Sequence, residues 1–432
     1  MINLELKGNN YCASVAKIKQ IRTLENCDNV VMGEINGYDV IISKNCKIGD
    51  KGLFFPVETQ LSIKFCYNNN LFSDKSQNIN PELKGYIRSS GRIRCEKFRG
   101  YMSDGLFLPL SSLSYITPNF NTLIEGTQFD TIDGTVICQK YIPEIKEIRS
   151  GGGQGKPKGP KISDILVPGQ FNFHYSTSKL QDNIWRFENL DDVVVITDKW
   201  HGTSAVYSNL LTKNKLSWWQ KIGKFFGNKV KTEEYRKMYA SRSVLKSIED
   251  RYHTPEGGYY NSDIWGKVFA DIKHVLVPGI TIYGEIVGYT GEKMIQKNYN
   301  YGCKPGEHKF LVYRITSTSA FDGQVAEWSW DEIKDFCKEH NLETVKVLFY
   351  GTIKQFLERV SSIADESDSI LLLDNLKRIY LEQDCPHCIT KVPAEGICIR
   401  NESTDKIAYK LKSKRFLLNE TESLDKGEEV VE

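Results

Sequence analysis

Residues 149–161 constrain this chain more than any other stretch. They read RSGGGQGKPKGPK, rich in glycine, proline and lysine, with no acidic residue. Glycine loses the most conformational freedom on ordering, and proline lacks the N–H that a helix or sheet ladder needs. No regular element is expected to run through such a stretch, so it reads as a flexible basic linker. It divides the 432-residue chain into a front part, residues 1–148, and a longer back part, residues 162–418. Each is long enough to bury its own core.

The front part reads as all-β. Residues 13–18, 30–35, 38–42, 51–55 and 106–110 are short apolar strand candidates. Asn36-Gly37 joins two of them, and a two-residue turn of this kind needs positive φ at both central positions. Short strands at this density fit a small barrel such as an OB-fold. Arg92, Arg94, Lys97 and Arg99 crowd into RIRCEKFRGYMSDGLFLPL, just ahead of the last of these strands.

Strands and helices mix in the back part. Residues 193–196, 281–283, 310–315, 397–399 and 407–411 are strand candidates, and 331–339 and 353–360 carry helical patterns. The fold class expected is α+β, an all-β OB-like barrel followed by a domain with a largely antiparallel sheet.

Net charge is only +2, so any nucleic-acid surface must be local. No apolar stretch approaches the roughly 18–20 residues of a membrane helix, and the N-terminus lacks signal-peptide features. Membrane partners are therefore not expected. Eleven scattered cysteines, an odd number, suit a reducing intracellular compartment, cytoplasmic or nuclear. Cys385-Pro386-His387-Cys388 is a single C-x-x-C without a matching second pair. It reads as loop thiols, with a structural metal knuckle as the alternative.

Two further segments stand out. Residues 211–231 carry Trp218, Trp219, Phe225 and Phe226 with six lysines and no acid. This is either an amphipathic helix packed on the domain as a lid, an RNA contact, or a membrane-surface element. Residues 419–432 hold six acids and one lysine and read as a disordered acidic tail.

The chemistry concentrates in Lys199-Trp200-His201-Gly202-Thr203-Ser204. The apolar run VVVI precedes it, which puts Lys199 at the end of a buried strand, held in place. Gly202 lets the backbone pass close to a ligand. This arrangement suits a lysine nucleophile that attacks phosphate. Four segments follow in order: Ser241-Arg242 in YASRSVL, Tyr283-Gly284-Glu285, Glu395-Gly396 in EGICIR, and Lys410 and Lys412 in IAYKLKSKRF. Lys410 and Lys412 alternate on one strand, so both face the same side, and Lys414 continues the alternation.

This ordered set resembles the covalent nucleotidyltransferase superfamily, and within it the ATP-dependent RNA ligases. The stretches YGEIVGYTGEKMIQKNYNY and FLVYRI strengthen the resemblance, which spans residues 166–418. The candidate barrel lies in front, and only about twenty residues follow Lys412, against roughly 70–100 for an OB barrel. That order resembles the RNA ligases with an N-terminal OB domain.

The resemblance implies a reaction and a set of roles. Lys199 attacks the α-phosphorus of ATP, giving lysyl-AMP. AMP then passes to an RNA 5′-phosphate, and a 3′-hydroxyl displaces it, in RNA repair. ATP and Mg2+ or Mn2+ are the implied cofactors, and RNA with 3′-hydroxyl and 5′-phosphate ends, nicked or broken, is the implied partner.

Lys410 and Lys412 would contact the α-phosphate, and with a metal they would lower the Lys199 pKa. Glu285 would bind the ribose hydroxyls. Glu395 would orient Lys199 and face the metal through water. Arg242 would meet ribose or phosphate, and Tyr313 would stack on adenine. Gly202 and Asp198 would help bind the nucleotide. His201, Ser204 and Lys414 are candidates for RNA contact or end sealing, with Ser204 standing where related ligases often carry asparagine. Gln296, Lys297 and Asn298 match an I-Q-K-N stretch. Two alternatives are a DNA or mixed RNA–DNA nick ligase, and a non-catalytic nucleic-acid-binding protein on the same scaffold.

Overall fold

A computed structural model describes residues 2–7, 10–142, 162–174, 176–227, 229–253, 262–360 and 369–426. The basic linker expected at 149–161 lies outside the described residues.

In the front part, β1 (Ala13–Thr23), β2 (Val30–Ile35), β3 (Tyr38–Ser43), β4 (Lys51–Pro56) and β5 (Gly105–Pro109) form an antiparallel sheet in the order β3-β2-β1-β4-β5. β1 is long enough to serve two partners. Its first half pairs with β4 and its second half with β2, with a register shift between Ile18 and Gln20. An irregularity there bends the strand, which is how a short sheet curls toward a barrel. Val15, Leu53, Phe55 and Phe129 fill the centre. The turn between β2 and β3 has φ of 50° at Asn36 and 75° at Gly37, the conformation that its sequence predicts.

The back part is built on two sheets. In the first, β6 (Val193–Lys199) lies between β11 (Val347–Thr352) and β12 (Gly396–Asn401), and β13 (Ala408–Lys412) follows β12. In the second, β7 (Thr203–Lys213) lies between β8 (Glu233–Ser241) and β9 (Ile280–Thr290), and β10 (His308–Thr318) pairs with β9. All of these pairings are antiparallel.

The unbroken apolar run in β6 has a structural reason. Val195 faces the core between the two sheets. Val194 and Ile196 face the opposite side, against Phe356 and Leu373. A strand covered on both faces cannot alternate apolar with polar.

The longer α-helices are α1 (Trp218–Phe225), α2 (Ile264–Ile272), α3 (Trp330–Glu339), α4 (Ile353–Val360), α5 (Ser369–Tyr380) and α6 (Lys414–Asp425). None of the described helices is long and apolar enough to cross a membrane. α3 starts with a capping box between Ser329 and Glu332. Phe356 of α4 and Leu373 and Leu376 of α5 cover the outer face of the first sheet.

Two expectations need correction. α1 is not packed as a lid: Trp218, Trp219, Phe225 and Phe226 are 65–85% exposed. The RNA-contact and membrane-surface alternatives for this segment stay open. The acidic tail, expected to be disordered from residue 419, is helical through Asp425. Composition alone treats its acids as solvated charge, but Asp425 pairs with Arg88, Arg92 and Arg94 of the front part. Phe416 anchors the first turn of the same helix in the core. Residues 427–432 lie outside the described residues.

Candidate active site

Strand register assembles the site. Lys199 pairs with Gly396, and Gly396 pairs with Lys412. One step along, Thr197 pairs with Cys398, and Cys398 with Lys410. Directly paired residues project to the same face of a sheet. The three lysines therefore rise from one face, with only a glycine between Lys199 and Lys412. Gly396 has φ +141°, and an added Cβ would lie 2.1 Å from the Leu411 carbonyl oxygen, so glycine is required there.

Glu395, next to that glycine, is 4% exposed and ties the lysines together. Its Oε1 lies 2.9 Å from Lys199 Nζ and 3.3 Å from Lys412 Nζ. Lys412 also meets Glu420 of α6 at 3.3 Å. Lys410 has no ion-pair partner among the described residues.

The charges respond to these contacts. Burial alone would raise the Glu395 carboxyl, but Lys199, Lys412 and His201 hold it down at about 2. Burial pushes Lys410 well below its ordinary value, and Lys412, Lys199, Lys179 and Arg242 push the same way. A buried lysine among other cations is poised for an anion.

Lys199 departs from the sequence expectation. Its pKa is raised, not lowered. Burial pulls it down most strongly, but the Glu395 carboxylate, helped by Cys398 and Glu285, outweighs burial and Lys412. The sequence pattern counts neighbouring cations and does not reveal how close Glu395 comes.

The second sheet faces the lysines. Ser204 on β7 pairs with Glu285 on β9. The Gly202 N–H donates to Glu285 Oε1 at 3.0 Å. A Cβ on Gly202 would lie 2.3 Å from the Ile286 carbonyl oxygen and 2.7 Å from Val287, so only glycine allows this crossing. Gly202→Ala is expected to destabilise the fold by about 1–3 kcal/mol. The thermal midpoint should drop by several degrees. An unchanged midpoint in calorimetry would remove the close crossing as the reason for glycine.

Tyr313 reaches the pocket through a register break. Tyr283 pairs with Arg314 while Gly284 pairs with Val312, which leaves Tyr313 as the extra residue. Bulges re-aim side chains in this way. Its hydroxyl lies 3.0 Å from Ser204 Oγ. Arg242 follows β8 and donates to Ser176 Oγ at 2.8 Å.

Other expected residues stand differently. Asp198 turns away from Lys199 and meets His387 Nε2 at 2.7 Å. His201 packs edge-on against Tyr299 and Phe416, with Nδ1 4.0 Å from Glu395 Oε2. Gln296 donates to the Gly202 carbonyl at 2.7 Å. Lys414 is a correction. Ser413 caps α6, so the strand alternation stops, and Lys414 Nζ bridges Asp39 and Asp104 of the front part. It does not line the cavity.

The two sheets, α6 and the front part enclose a cavity of about 280 Å³. Lys199, Lys410, Lys412, Arg242, Glu285 and Tyr313 all line it. This is the scale of a small-ligand site with a few convergent polar groups. The donor set also suits a hydrated divalent cation. Glu395 Oε2 is buried without a hydrogen-bond partner among the described residues, and so could accept from such a cation's water.

The RNA ligase family model matches residues 192–414, more than half of the chain. The chain belongs to the RNA ligase family. An OB-fold domain model matches residues 12–110, in front of the ligase domain. Among solved structures, the chain is similar to Naegleria gruberi RNA ligase. A mutant of that enzyme without ligand is 15% identical with a TM-score of 0.59, covering 96% of this chain and 99% of that one. Its complex with PPi is 16% identical with a TM-score of 0.59, covering 95% and 98%. A mutant with AMP and Mn is 16% identical with a TM-score of 0.55, covering 94% and 98%. No curated protein matches significantly. The expected fold class stands, an OB-fold followed by antiparallel ligase sheets.

The sequence reading of this ligase missed several cavity residues. Lys179 pairs in register with Lys410, and burial pulls its pKa down to about 8. Lys140, Tyr11 and Glu58 enter from the front part. Burial and nearby Arg314 and Arg242 hold His174 neutral, with a pKa of about 3. No local motif marks these residues; strand pairing places Lys179, and the contact between the two parts of the chain places Lys140, Tyr11 and Glu58.

Proposed function

We propose that this protein seals RNA 3′-hydroxyl and 5′-phosphate ends, using ATP through a lysyl-AMP intermediate, as in the repair of broken RNA. The observation that carries this reading is the cluster of Lys199, Lys410 and Lys412 on one sheet face with Glu395 between them.

Each residue has a task in the reaction. Lys199 Nζ gives up a proton and attacks the α-phosphorus of ATP. The N–P bond forms as the bond to pyrophosphate breaks. Lys410 and Lys412 receive the phosphate charge that develops. Glu395 orients Lys199 through Oε1, and its other oxygen would accept from the water shell of a divalent cation. That cation, Mg2+ or Mn2+, would neutralise phosphate charge. Glu285 accepts hydrogen bonds from the ribose, Tyr313 stacks on adenine, and Arg242 meets ribose or phosphate. Gly202 holds the backbone crossing beside Glu285. Asp198 acts through His387 and the backbone leading to Lys199. Once AMP is on Lys199, an RNA 5′-phosphate oxygen attacks its phosphorus, the N–P bond breaks, and the Lys199 amine leaves and takes up a proton. A 3′-hydroxyl then attacks that activated end and AMP leaves.

The relatives with AMP, PPi and Mn in their sites support this reading, as does membership in the RNA ligase family. Two measurements test it. Peptide mass analysis after incubation with ATP and Mg2+ or Mn2+ should find one AMP on the Lys199 peptide. Sealing assays with matched all-RNA, all-DNA and mixed strands should favour RNA at the 3′-hydroxyl end. Equal sealing of all-DNA nicks would move the assignment to a polynucleotide ligase without RNA preference.

A further inference from the structure

The Cys385–Cys388 loop does not belong to the proposed chemistry, yet it is clasped to the nucleophile strand. The Cys385 N–H donates to the Val392 carbonyl at 2.7 Å and closes the loop base. The next contact, from Ala394 N–H to the Gln383 carbonyl at 2.9 Å, leads directly into Glu395. Inside the loop, His387 sits between the two cysteines. Its Nε2 meets Asp198 Oδ2 at 2.7 Å, and its ring stacks on Trp200 with centroids 4.4 Å apart and planes 18° apart. Asp198 and Trp200 flank Lys199 in sequence. One loop side chain therefore grips both neighbours of the nucleophile.

Each thiol is the strongest influence on the other's pKa, and neither is in a disulfide. Both are half-buried, within reach of solvent. Among the described residues, no cluster of three or more His, Cys, Asp or Glu could hold a metal, which leaves the structural knuckle without a ligand set. Two thiols three residues apart in one closed loop, open to solvent and mechanically linked to a reacting group, are instead built for exchange chemistry.

We propose that Cys385 and Cys388 are a reversible modification site, closing into a disulfide by exchange with a small-molecule or protein disulfide and slowing adenylylation of Lys199 through His387. The Cys385 thiolate attacks one sulfur of the incoming disulfide, that S–S bond breaks, and one thiolate leaves. The Cys388 thiolate then attacks the Cys385 sulfur and expels the second thiolate. The two protons lost by the cysteines go to the two leaving groups. The protein pair is oxidised and the incoming disulfide is reduced. Cys385 is the attacking sulfur, since the neighbouring Cys388 thiol pulls its pKa down, against burial, while that of Cys388 is raised.

Closure draws the sulfurs of the two free cysteines to about 2.05 Å. The four-residue loop tightens, and His387 moves relative to Asp198 and Trp200. A displacement of about 1 Å in a reacting group lowers rates by up to roughly 100-fold.

The test uses the full chain, with oxidised glutathione as the probe, and its rate readout rests on the lysyl-AMP reading. Peptide mass should show loss of two hydrogens across Cys385 and Cys388. The rate of AMP attachment should fall at least roughly tenfold and recover after reduction with dithiothreitol. The double variant Cys385→Ser/Cys388→Ser should keep the reduced wild-type rate and ignore the probe. Should that variant fail to fold, Cys388→Ala offers a second arm, in which exchange should stop with one glutathione on Cys385. Absence of the bridge, a bridge that leaves the rate unchanged, or a zinc ion on the pair in native mass spectra would each overturn the proposal. The bridge is read by mass whether or not AMP is transferred, so failure of the thiol pair is told apart from failure of the ligase reading.

Discussion

Lys199→Ala should yield a folded protein that takes no AMP. The side chain sits at the end of β6, where backbone pairing with Gly396 does not depend on it. Glu395 keeps Lys412 at 3.3 Å, so its buried carboxylate is not left alone. The thermal midpoint should therefore stay within a few degrees of wild type. Adenylylation should fall by roughly 10⁴-fold or more, since removing a covalent nucleophile leaves only binding and charge stabilisation. Supplying RNA whose 5′ end already carries AMP bypasses the missing step, so that RNA should still be sealed. An AMP adduct on Lys410 or any other residue, at a rate near wild type, would end the assignment of Lys199. Loss of sealing with the pre-activated RNA as well would mean that the lysine acts later in the reaction.

How much of this site could be read from the sequence depends on distance along the chain. KWHGTS, YGE, EGICIR and YKLK each lie at a strand end or on a strand, where period and apolar runs are informative. Their order fixes the family, and register does the rest, aligning Lys199, Gly396 and Lys412. Three kinds of feature were not legible. Lys414 looked like the next step of a strand because nothing in K-x-K-x-K announces that Ser413 caps a helix. The tail looked disordered because its partners, Arg88, Arg92 and Arg94, are more than 300 residues away. Lys179 joins the cation cluster by pairing with Lys410, and Lys140 only when the front part closes over the ligase sheets. The aromatic helix α1 shows the opposite limit. Its amphipathic sequence predicts a buried face, and the fold leaves that face in solvent.

Glu395→Gln should move the pH profile of adenylylation toward acid while lowering its ceiling. Attack requires neutral Lys199, and the carboxylate 2.9 Å away holds the ammonium proton. Removing that negative charge favours the neutral amine, so the amine forms at lower pH. A nearby opposite charge is worth about one to three pH units, and the rising limb should shift by that amount. The amide cannot restore the rest of the site. It loses one carboxylate oxygen and the negative charge and holds Lys199 less firmly, so the maximal rate should fall roughly 100-fold.

Stability gives an independent reading of the same carboxylate. Its folded pKa of about 2 lies below the ordinary value of 4.5. Its stabilising contribution is therefore complete above 4.5 and disappears as pH falls toward 2. Wild type should melt above the variant at neutral pH, and the gap should close on acidification through that window. A profile that shifts toward alkali, or a gap that widens in acid, would show that Glu395 does not hold the proton on Lys199.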